Sequence, residues 1–248
     1  MDLDGLVAEI DGQLRARVVP GRADQEKAYL KSRLQHYGVP VPAIRAVAKG
    51  ARKRHSELSH HDVVDVVEAL WSAPVHERRM VAVELLDAYA DRLVPADMVL
   101  VERLLRDSRT WALVDALAAS VVGPLVERAP AAAAVLDQWA VDDDFWLRRS
   151  ALLASLKSLR RGGGDFERFG RYADAMLDDK EFFIRKAIGW VLRDTARKRP
   201  ELVFEWLLPR AARASGVTLR EACKPLSAEQ RAAIDAAVTQ KAKRFTTS

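Results

Sequence analysis

The spacing of apolar side chains predicts helices along nearly the whole chain. Within residues 63–70 and again within 81–89, apolar residues recur at intervals of three and four. This spacing places them on one face of an α-helix, whereas the two-residue alternation of a half-buried strand is not found. We therefore expect an all-α protein.

Proline and glycine divide this pattern into helices of about 10 to 18 residues joined by short turns. The predicted breaks fall at residues 39–42, 73–74, 94–95, 123–124, 129–130, 162–164, 199–200 and 215–216. Ser227 and Gln230 have the spacing of a capping box, which predicts that the last helix begins there. The tail after about Lys241 is expected to fray.

Three stretches repeat one pattern, a basic pair followed by an apolar helix. The pairs are Arg78-Arg79, Arg148-Arg149 and Arg185-Lys186. The second and third are 37 residues apart, and the first and second are 70 apart, which is two periods of 35. A period in this range is typical of two-helix repeats such as HEAT. A repeat without its basic pair is then expected midway, within residues 110–120.

This periodicity predicts an α-solenoid, in which HEAT-like antiparallel helix pairs stack into a curved superhelix. We expect residues 1–248 to form one such domain. If the basic pairs open the inner helices, they would give the superhelix a concave basic groove suited to the phosphates of duplex DNA. The alternative is that these charges mark only a solvated edge.

Asp115 breaks the repeat pattern. It occupies the register that other repeats fill with Met80, Ser150 and Ala187, and its neighbours in sequence are apolar. A carboxylate on a partly desolvated wall costs free energy unless it is paired or used. Trp111 lies four residues earlier, on the same helical face. Asp115 is therefore either a candidate functional carboxylate or a surface residue paired with a base of the next repeat.

Tryptophan is by default a core residue, and core packing is expected for Trp71, Trp139, Trp146 and Trp206. Trp190 differs because Gly189 precedes it within a predicted helix. A helical glycine costs roughly 1 kcal/mol relative to alanine, which suggests that something approaches the backbone closely at this point.

Composition restricts the function classes further. The 40 basic residues comprise 29 Arg and 11 Lys against 35 acidic ones, a net charge of +5. An excess of Arg favours a phosphate-bearing partner, although biased codon usage would give the same composition. The single cysteine, Cys223, excludes an internal disulfide and a multi-cysteine metal site. Without a signal-peptide pattern or a long apolar run, we expect a cytoplasmic, nucleoid-associated protein that does not bind a membrane.

Nucleotide hydrolysis and metal catalysis are not indicated. The glycines at 162–164 lack the Gly-Lys-Ser/Thr of a phosphate loop, and His60-His61 has no ligand partner at helical spacing. We therefore expect neither a metal nor an organic cofactor.

From about Ala28 to beyond Pro200, the chain resembles the AlkD-type DNA alkylation repair glycosylases, which are built from HEAT-like repeats. The most specific stretch, residues 182–193, reads FFIRKAIGWVLR, and it is supported by WALVD at 111–115 and WLRRSAL at 146–152. Tyr29 and Lys31 also match. The resemblance implies that Asp115 is catalytic and that Trp111, Trp190 and Arg149 complete its cleft.

The resemblance further implies excision of cationic N3- and N7-alkylpurines from duplex DNA without flipping of the lesion into a pocket. An ionised carboxylate would stabilise the positive charge that develops on the deoxyribose and could orient the attacking water. No general acid is evident, because all five histidines lie between His36 and His76. Uncharged lesions, whose leaving base needs protonation, are therefore expected to be poor substrates.

The chain departs from the family where it reads Gly38-Val39-Pro40-Val41-Pro42. Relatives often have a Ser or Thr before the second proline, so this chain lacks a hydroxyl N-cap and a polar backbone contact. Thr110 also stands where some relatives have a second tryptophan.

We expect a monomer that acts on duplex DNA containing alkylated purines as a monofunctional glycosylase. The predicted phosphate contacts are Arg148, Lys157, Arg185, Lys186 and Arg193, with Tyr29 and Lys31 as further DNA-binding residues. Two other hypotheses remain open. One is a non-catalytic HEAT-repeat protein that binds damaged or branched DNA, and the other is a scaffold whose groove binds an acidic helix.

Overall fold

The computed structural model describes residues 2–246, with side chains described for residues 2–240. Within this part of the chain the protein is all-α, as the apolar spacing predicted, and it contains no β-strand. One isolated parallel bridge joins Gln35 to Val75. No helix among the described residues is long and apolar enough to cross a membrane. The helices form two compact units that divide between Ala129 and Pro130.

The first unit contains eight α-helices among its described residues. They are α1 (Leu3–Arg15), α2 (Arg22–Leu30), α3 (Val41–Arg54), α4 (His60–Ser72), α5 (His76–Ala88), α6 (Met98–Ser108), α7 (Trp111–Ala116) and α8 (Gly123–Arg128). Short 3-10 turns at Ala90–Arg92 and Pro95–Asp97 connect α5 to α6. Neighbouring helices pack in pairs, most extensively α3 on α5 and α4 on α5.

The second unit also contains eight α-helices in the described part. They are α9 (Ala133–Trp139), α10 (Phe145–Leu153), α11 (Leu156–Arg160), α12 (Phe166–Ala175), α13 (Phe182–Ala196), α14 (Pro200–Leu207), α15 (Gly216–Ala222) and α16 (Ala228–Thr246). Helix α13 is its centre, because it packs against α10, α11, α14 and α15. Its inward face is apolar and buried, from Ile184 to Val191 and Leu192.

Polar contacts between neighbouring repeats recur at the spacing that the basic pairs predicted. The Trp71 indole N–H donates to Asp107, 36 residues later, and the Tyr172 hydroxyl donates to Asp137, 35 residues earlier. Arg160 bonds Asp194 across 34 residues. Side chains on successive repeats meet at this distance because equivalent positions of stacked repeats lie side by side. The structure thus confirms a period of about 35 residues.

The predicted capping box at the start of α16 is present. The Ser227 backbone N–H donates to Oε1 of Gln230 at 3.0 Å, and the Gln230 N–H donates to Oγ of Ser227 at 3.2 Å. Both orphan amides of the helix start are thereby satisfied. The fraying after about residue 241 stays a prediction, because the backbone is helical to Thr246 while the side chains after residue 240 and the last two residues lie outside the described part of the chain.

The predicted break at residues 123–124 is wrong. Helix α7, a π-helical segment at Leu117–Val122 and helix α8 follow one another without interruption. Pro124 has no N–H and its ring would collide with the carbonyl four residues earlier in an α-helix. The wider turn, in which the Gly123 N–H bonds the Ala118 carbonyl, accommodates the proline without ending the helix.

Candidate functional site

Asp115 lies on α7 in the first unit, one turn after Trp111. Thr110 begins the helix in extended conformation, so the Trp111 side chain belongs to its first turn. Asp115 and Trp111 are both half-buried, whereas Leu113 and Val114 between them are fully buried. The spacing of four puts the carboxylate and the indole on one partly accessible face of α7.

Tyr29, from the end of α2, packs against Trp111. The two rings meet edge to face, with centroids 5.7 Å apart and planes at 88°. Tyr29 is nevertheless 72% exposed. Edge-to-face packing orients one aromatic ring by the other. The structure therefore brings together two predicted site residues that are 82 positions apart in the sequence.

Two strained residues flank this aromatic pair. Lys31 ends α2 with φ of 49°, and Arg109 ends α6 with φ of 46°, and no other non-glycine residue in the described chain has a positive φ. A side chain in this left-handed region costs on the order of 1 kcal/mol or more. Such strain concentrates at functional sites, and no sequence signal marks it because lysine and arginine are not typical of this conformation.

The π-helical segment begins two residues after Asp115. Single π turns inside α-helices occur frequently at functional sites, since they shift the register of the side chains that follow. The sequence signal for this feature is Pro124, although a proline at this position predicts a helix end.

Arg149 lies in α10 of the second unit and is only 3% exposed. Its Nη1 donates to the carbonyl oxygen of Phe183, and its guanidinium carbon lies 5.7 Å from the centre of the Phe183 ring. The backbone of the next repeat thus fixes one side of this arginine.

Trp190, on α13, is half-buried and its indole N–H donates to Oδ2 of Asp194 at 3.2 Å. Asp194 in turn accepts from Arg160. Neither Asp194 nor Arg160 is among the predicted site residues, although the four-residue spacing of Trp190 and Asp194 on a helix is a usable signal.

Gly189 confirms that something approaches the backbone closely here, and the structure identifies it as α15. A Cβ on Gly189 would lie 2.9 Å from the carbonyl oxygen of Thr218 and 2.9 Å from Cβ of Glu221. The glycine therefore permits α13 and α15 to pack.

Most of the predicted phosphate contacts already have partners within the protein. Arg148 donates to the Asp142 carbonyl at 2.7 Å and bonds Asp179 at 3.2 Å. Arg185 donates to the Asp179 carbonyl at 2.7 Å. Lys157, on α11, is half-buried. A cation with an internal partner can bind a phosphate only in addition to, or instead of, that partner.

Glu221 on α15 is the partner of two more of these cations. Lys186 bonds it at 2.6 Å and Arg193 forms an ion pair with it. Hydrogen bonds from Lys186 and Lys224 lower the pKa of Glu221 to about 2. This carboxylate therefore stays ionised and neutralises part of the positive charge of α13.

The second members of the three basic pairs share one role. Arg79 bonds Asp107 at 2.9 Å, Arg149 bonds the Phe183 carbonyl and Lys186 bonds Glu221, each on a later repeat. The pairs therefore connect successive repeats. This internal role was not foreseen from the sequence, which favoured a row of charges for DNA.

Four aromatic rings cluster at the starts of α10 and α13. Trp146 lies 4.3 Å from Phe145 and 5.0 Å from Phe183, measured between ring centroids, and Phe183 also contacts Phe182. The core prediction is confirmed for Trp71 and Trp139, which are buried. It is wrong for Trp146 and Trp206, which are only half-buried.

Glu26, His36 and Glu77 are the described residues whose side chains group as metal ligands do, with ligand atoms within 4.8 Å of one another. Three of the four glutamate oxygens accept hydrogen bonds, whereas Oε2 of Glu26 and both ring nitrogens of His36 are buried without a hydrogen-bond partner. Oε1 of Glu77 accepts the backbone N–H groups of residues 37–39, and Arg22 donates to Glu26 at 3.2 Å. We assign this cluster to fixing residues 36–39 on α5.

A cavity of about 640 Å³ lies between α12 and α14 of the second unit and is lined by Phe166, Gly170 and Trp206 among others. None of the predicted site residues lines it. Concavity alone therefore does not identify the candidate site.

Comparisons with known proteins give a consistent result. A family model described as "DNA alkylation repair enzyme" matches residues 10–226. No curated protein matches the sequence. Among solved structures, the chain is similar to a predicted DNA alkylation repair enzyme from Enterococcus faecalis, with 24% identity and a TM-score of 0.76 over 86% of this chain and 98% of that one.

The fold is also similar to that of two proteins from Streptococcus mutans. One is AlkD2, with 15% identity and a TM-score of 0.64 over 92% of this chain and 100% of that one. The other is smu.31, with 17% identity and a TM-score of 0.59 over 75% and 93% of the two chains. At these identities the likeness concerns the fold.

Proposed function

Since the chain belongs to the family of DNA alkylation repair enzymes, we propose that it is a monofunctional DNA glycosylase. Its substrates are cationic N3- and N7-alkylated purines in duplex DNA, and it hydrolyses their N-glycosidic bonds. Asp115 is the catalytic carboxylate, and no metal or organic cofactor takes part. The protein acts as a single domain and a monomer.

The observation that carries this proposal is the face of α7 that presents Asp115 beside Trp111, with Tyr29 packed on the indole. A carboxylate there is partly desolvated, which strengthens its interaction with a nearby positive charge. The aromatic faces beside it favour cationic groups by about 0.5 to 2 kcal/mol. Both features suit a reaction in which positive charge develops on a sugar.

In the proposed reaction the bond between C1′ and the purine nitrogen breaks, and its electron pair leaves with the base. The cationic alkylpurine thereby departs as a neutral molecule. Asp115 stabilises the positive charge that develops on the deoxyribose. Water adds its oxygen to C1′ and loses a proton to the carboxylate or to solvent, which leaves an abasic site.

This mechanism needs no acid, because the positive charge already makes the alkylated base a good leaving group. Asp115 is the sole carboxylate between residues 111 and 123, and the histidines all lie before residue 77. An uncharged base such as hypoxanthine has to be protonated as it leaves. We therefore expect slow release of hypoxanthine by the same protein.

Arg149 and Trp190 complete the proposed machinery, as the family resemblance implies. The planar guanidinium of Arg149 is a donor group that suits a phosphate or sugar oxygen. Trp190 offers a half-buried indole for the sugar and backbone at the lesion. Tyr29, Lys31, Arg148, Lys157, Arg185, Lys186 and Arg193 are proposed to bind DNA around it.

The decisive experiment measures release of 7-methylguanine and 3-methyladenine from methylated duplex DNA by the wild type and by Asp115→Asn. Asparagine keeps the size of the side chain but removes its charge. We expect a loss of about 10²- to 10³-fold in the single-turnover rate. The DNA dissociation constant should change less than about twofold, since the carboxylate stabilises the transition state rather than the bound duplex.

Asp65→Asn is the matched control, because Asp65 lies on α4 of the same unit and pairs with the exposed His61 at 3.2 Å. It should release both bases at the wild-type rate. Failure of the wild type to release either base, combined with tight and salt-sensitive DNA binding, would instead favour the non-catalytic DNA binder. Equal release by wild type and Asp115→Asn would refute the role of the carboxylate.

A further inference from the structure

We propose that Asp194 is a positioning residue that fixes the indole of Trp190 through a hydrogen bond, with Arg160 keeping its carboxylate in place. This inference rests on the proposed function, since Trp190 matters for excision only if the protein is a glycosylase. The bond itself can be tested without any activity.

The arrangement is a chain of three side chains in the second unit. The Trp190 indole N–H donates to Oδ2 of Asp194 at 3.2 Å. The same oxygen accepts from Nε of Arg160 at 2.8 Å and lies 2.6 Å from its Nη2. The other oxygen, Oδ1, lies 3.3 Å from Nε of Arg193. Both oxygens of the carboxylate are therefore engaged.

A buried carboxylate at this position needs a reason. Asp194 is only 2% exposed, and an aspartate buried to this degree costs free energy unless it is well paired. Arg160, from the preceding repeat, supplies two N–H groups of its planar fork and so fixes the position of the carboxylate as well as its charge. The free end of this chain of bonds is the Trp190 indole.

Packing alone does not determine how Trp190 is oriented. The terminal torsion of a tryptophan side chain is broad, and the Trp190 indole is only half-buried. A hydrogen bond from Nε1 to a fixed acceptor holds one edge of the ring in place and thereby fixes the direction in which the ring face points. Trp71 shows the contrast, because its indole also bonds an aspartate, Asp107, but is 2% exposed and fixed by the core.

The bond can be tested by NMR on protein labelled with ¹⁵N-tryptophan. The chain has six tryptophans, so six indole N–H signals are expected, and Trp190→Phe identifies the signal of Trp190. In Asp194→Asn this signal should move more than the other five, because its acceptor loses its charge. A Trp190 signal that stays unchanged in Asp194→Asn would overturn the inference even if the protein proves inactive on DNA.

The functional consequence can be tested with a double-mutant cycle on single-turnover excision of 7-methylguanine. Asp194→Asn should slow excision about tenfold while leaving the DNA dissociation constant within about twofold, since misorientation of a site residue affects the reacting geometry. In a Trp190→Phe background, which has no indole N–H, the same substitution should change the rate by less than about twofold. Equal losses in both backgrounds would mean that Asp194 does not act through Trp190.

Asp174→Asn is the matched control, because Asp174 lies in the same unit and also pairs with arginines, at 2.9 Å from Arg210 and 3.0 Å from Arg213. It should leave both the excision rate and the Trp190 signal unchanged. If the wild type releases no base, the proposed function is wrong, and the NMR test alone decides whether Asp194 positions Trp190. An active wild type with an unaffected Asp194→Asn would defeat only the positioning role.

Discussion

Buried ionisable side chains in this protein act as hydrogen-bonding centres between segments that are distant in the sequence. Glu77 is 0% exposed and accepts three backbone N–H groups, at 2.6 to 3.1 Å, from residues 37–39. Beside it, the rings of His36 and His76 stack with centroids 4.5 Å apart. The hydrogen bonds of Glu77 fix the loop before α3, whose N-cap, Pro40, offers no side-chain cap.

The histidine pair predicts a loss of stability in mild acid. Burial, reinforced by neighbouring His36, lowers the pKa of His76 from 6.5 to about 4, and burial also lowers the pKa of His36 despite Glu77 and Glu26. Between about pH 6.5 and 4 the unfolded chain therefore binds more protons than the folded one, so the stability present above pH 6.5 declines as the pH falls.

We expect the melting temperature to drop by several degrees between pH 7 and pH 5, as measured by thermal unfolding monitored by circular dichroism. His76→Gln removes one titrating ring and should show a shallower dependence on pH, whatever its stability at pH 7. His61→Gln is the control, since the His61 side chain is 85% exposed, and it should follow the wild type. Parallel curves for all three proteins would contradict this explanation.

At the scale of helices, close approach of backbones sets how repeats pack. Helix α13 carries Trp190 and packs on α15 through Gly189, where a methyl group would meet a carbonyl oxygen at 2.9 Å. The backbone of α15 would have to shift to make room for the methyl group, and this costs more free energy than moving the end of a flexible side chain. The stretch FFIRKAIGWVLR is therefore characteristic for two reasons. Its glycine is needed for helix packing, and its tryptophan has a proposed role in the site.

Gly189→Ala should therefore destabilise the protein despite the better helix propensity of alanine. We expect a loss of about 1 to 3 kcal/mol, as for other overpacked positions, measured by urea unfolding. Gly12→Ala tests the propensity effect alone, because Gly12 lies within α1 and nothing stands within 4 Å of an added Cβ. That control should gain up to about 1 kcal/mol. If Gly189→Ala instead stabilises the protein, α15 can shift to accept the methyl group, and the prediction is wrong.

At the scale of the whole molecule, a large positive charge is mostly balanced internally. The chain carries 40 basic and 35 acidic residues, and many arginines bond carboxylates or carbonyls of neighbouring repeats. The net charge of +5 is therefore small beside the number of basic side chains. DNA affinity depends on those that can still reach phosphates.

Binding to undamaged duplex DNA should weaken steeply with salt. Each neutralised phosphate contributes about −0.9 to the slope of log affinity against log salt concentration, so three or more contacts predict a slope of about −3 or steeper. Fluorescence anisotropy between roughly 50 and 200 mM salt measures it. A slope near zero would contradict the DNA-binding proposal and favour a scaffold that binds protein.

The candidate site was only partly accessible from the sequence. Trp111 and Asp115 could be placed on one helical face because their spacing is local. The packing of Tyr29 on Trp111, and the bond from Arg160 to Asp194, could not be predicted, since each depends on which positions of successive repeats meet. The left-handed conformations of Lys31 and Arg109 could not be predicted either, because neither residue type favours a positive φ.

The sequence by itself determined the helical class, the period of about 35 residues and the capping of α16, because these follow from contacts within a turn or two of helix and from recurrence along the chain. Only the tertiary structure decided which charges have internal partners and where the chain accommodates a proline by a π turn. Those outcomes depend on burial and on distances between repeats. The order of residues along the chain specifies neither the burial of a side chain nor its distance from the next repeat.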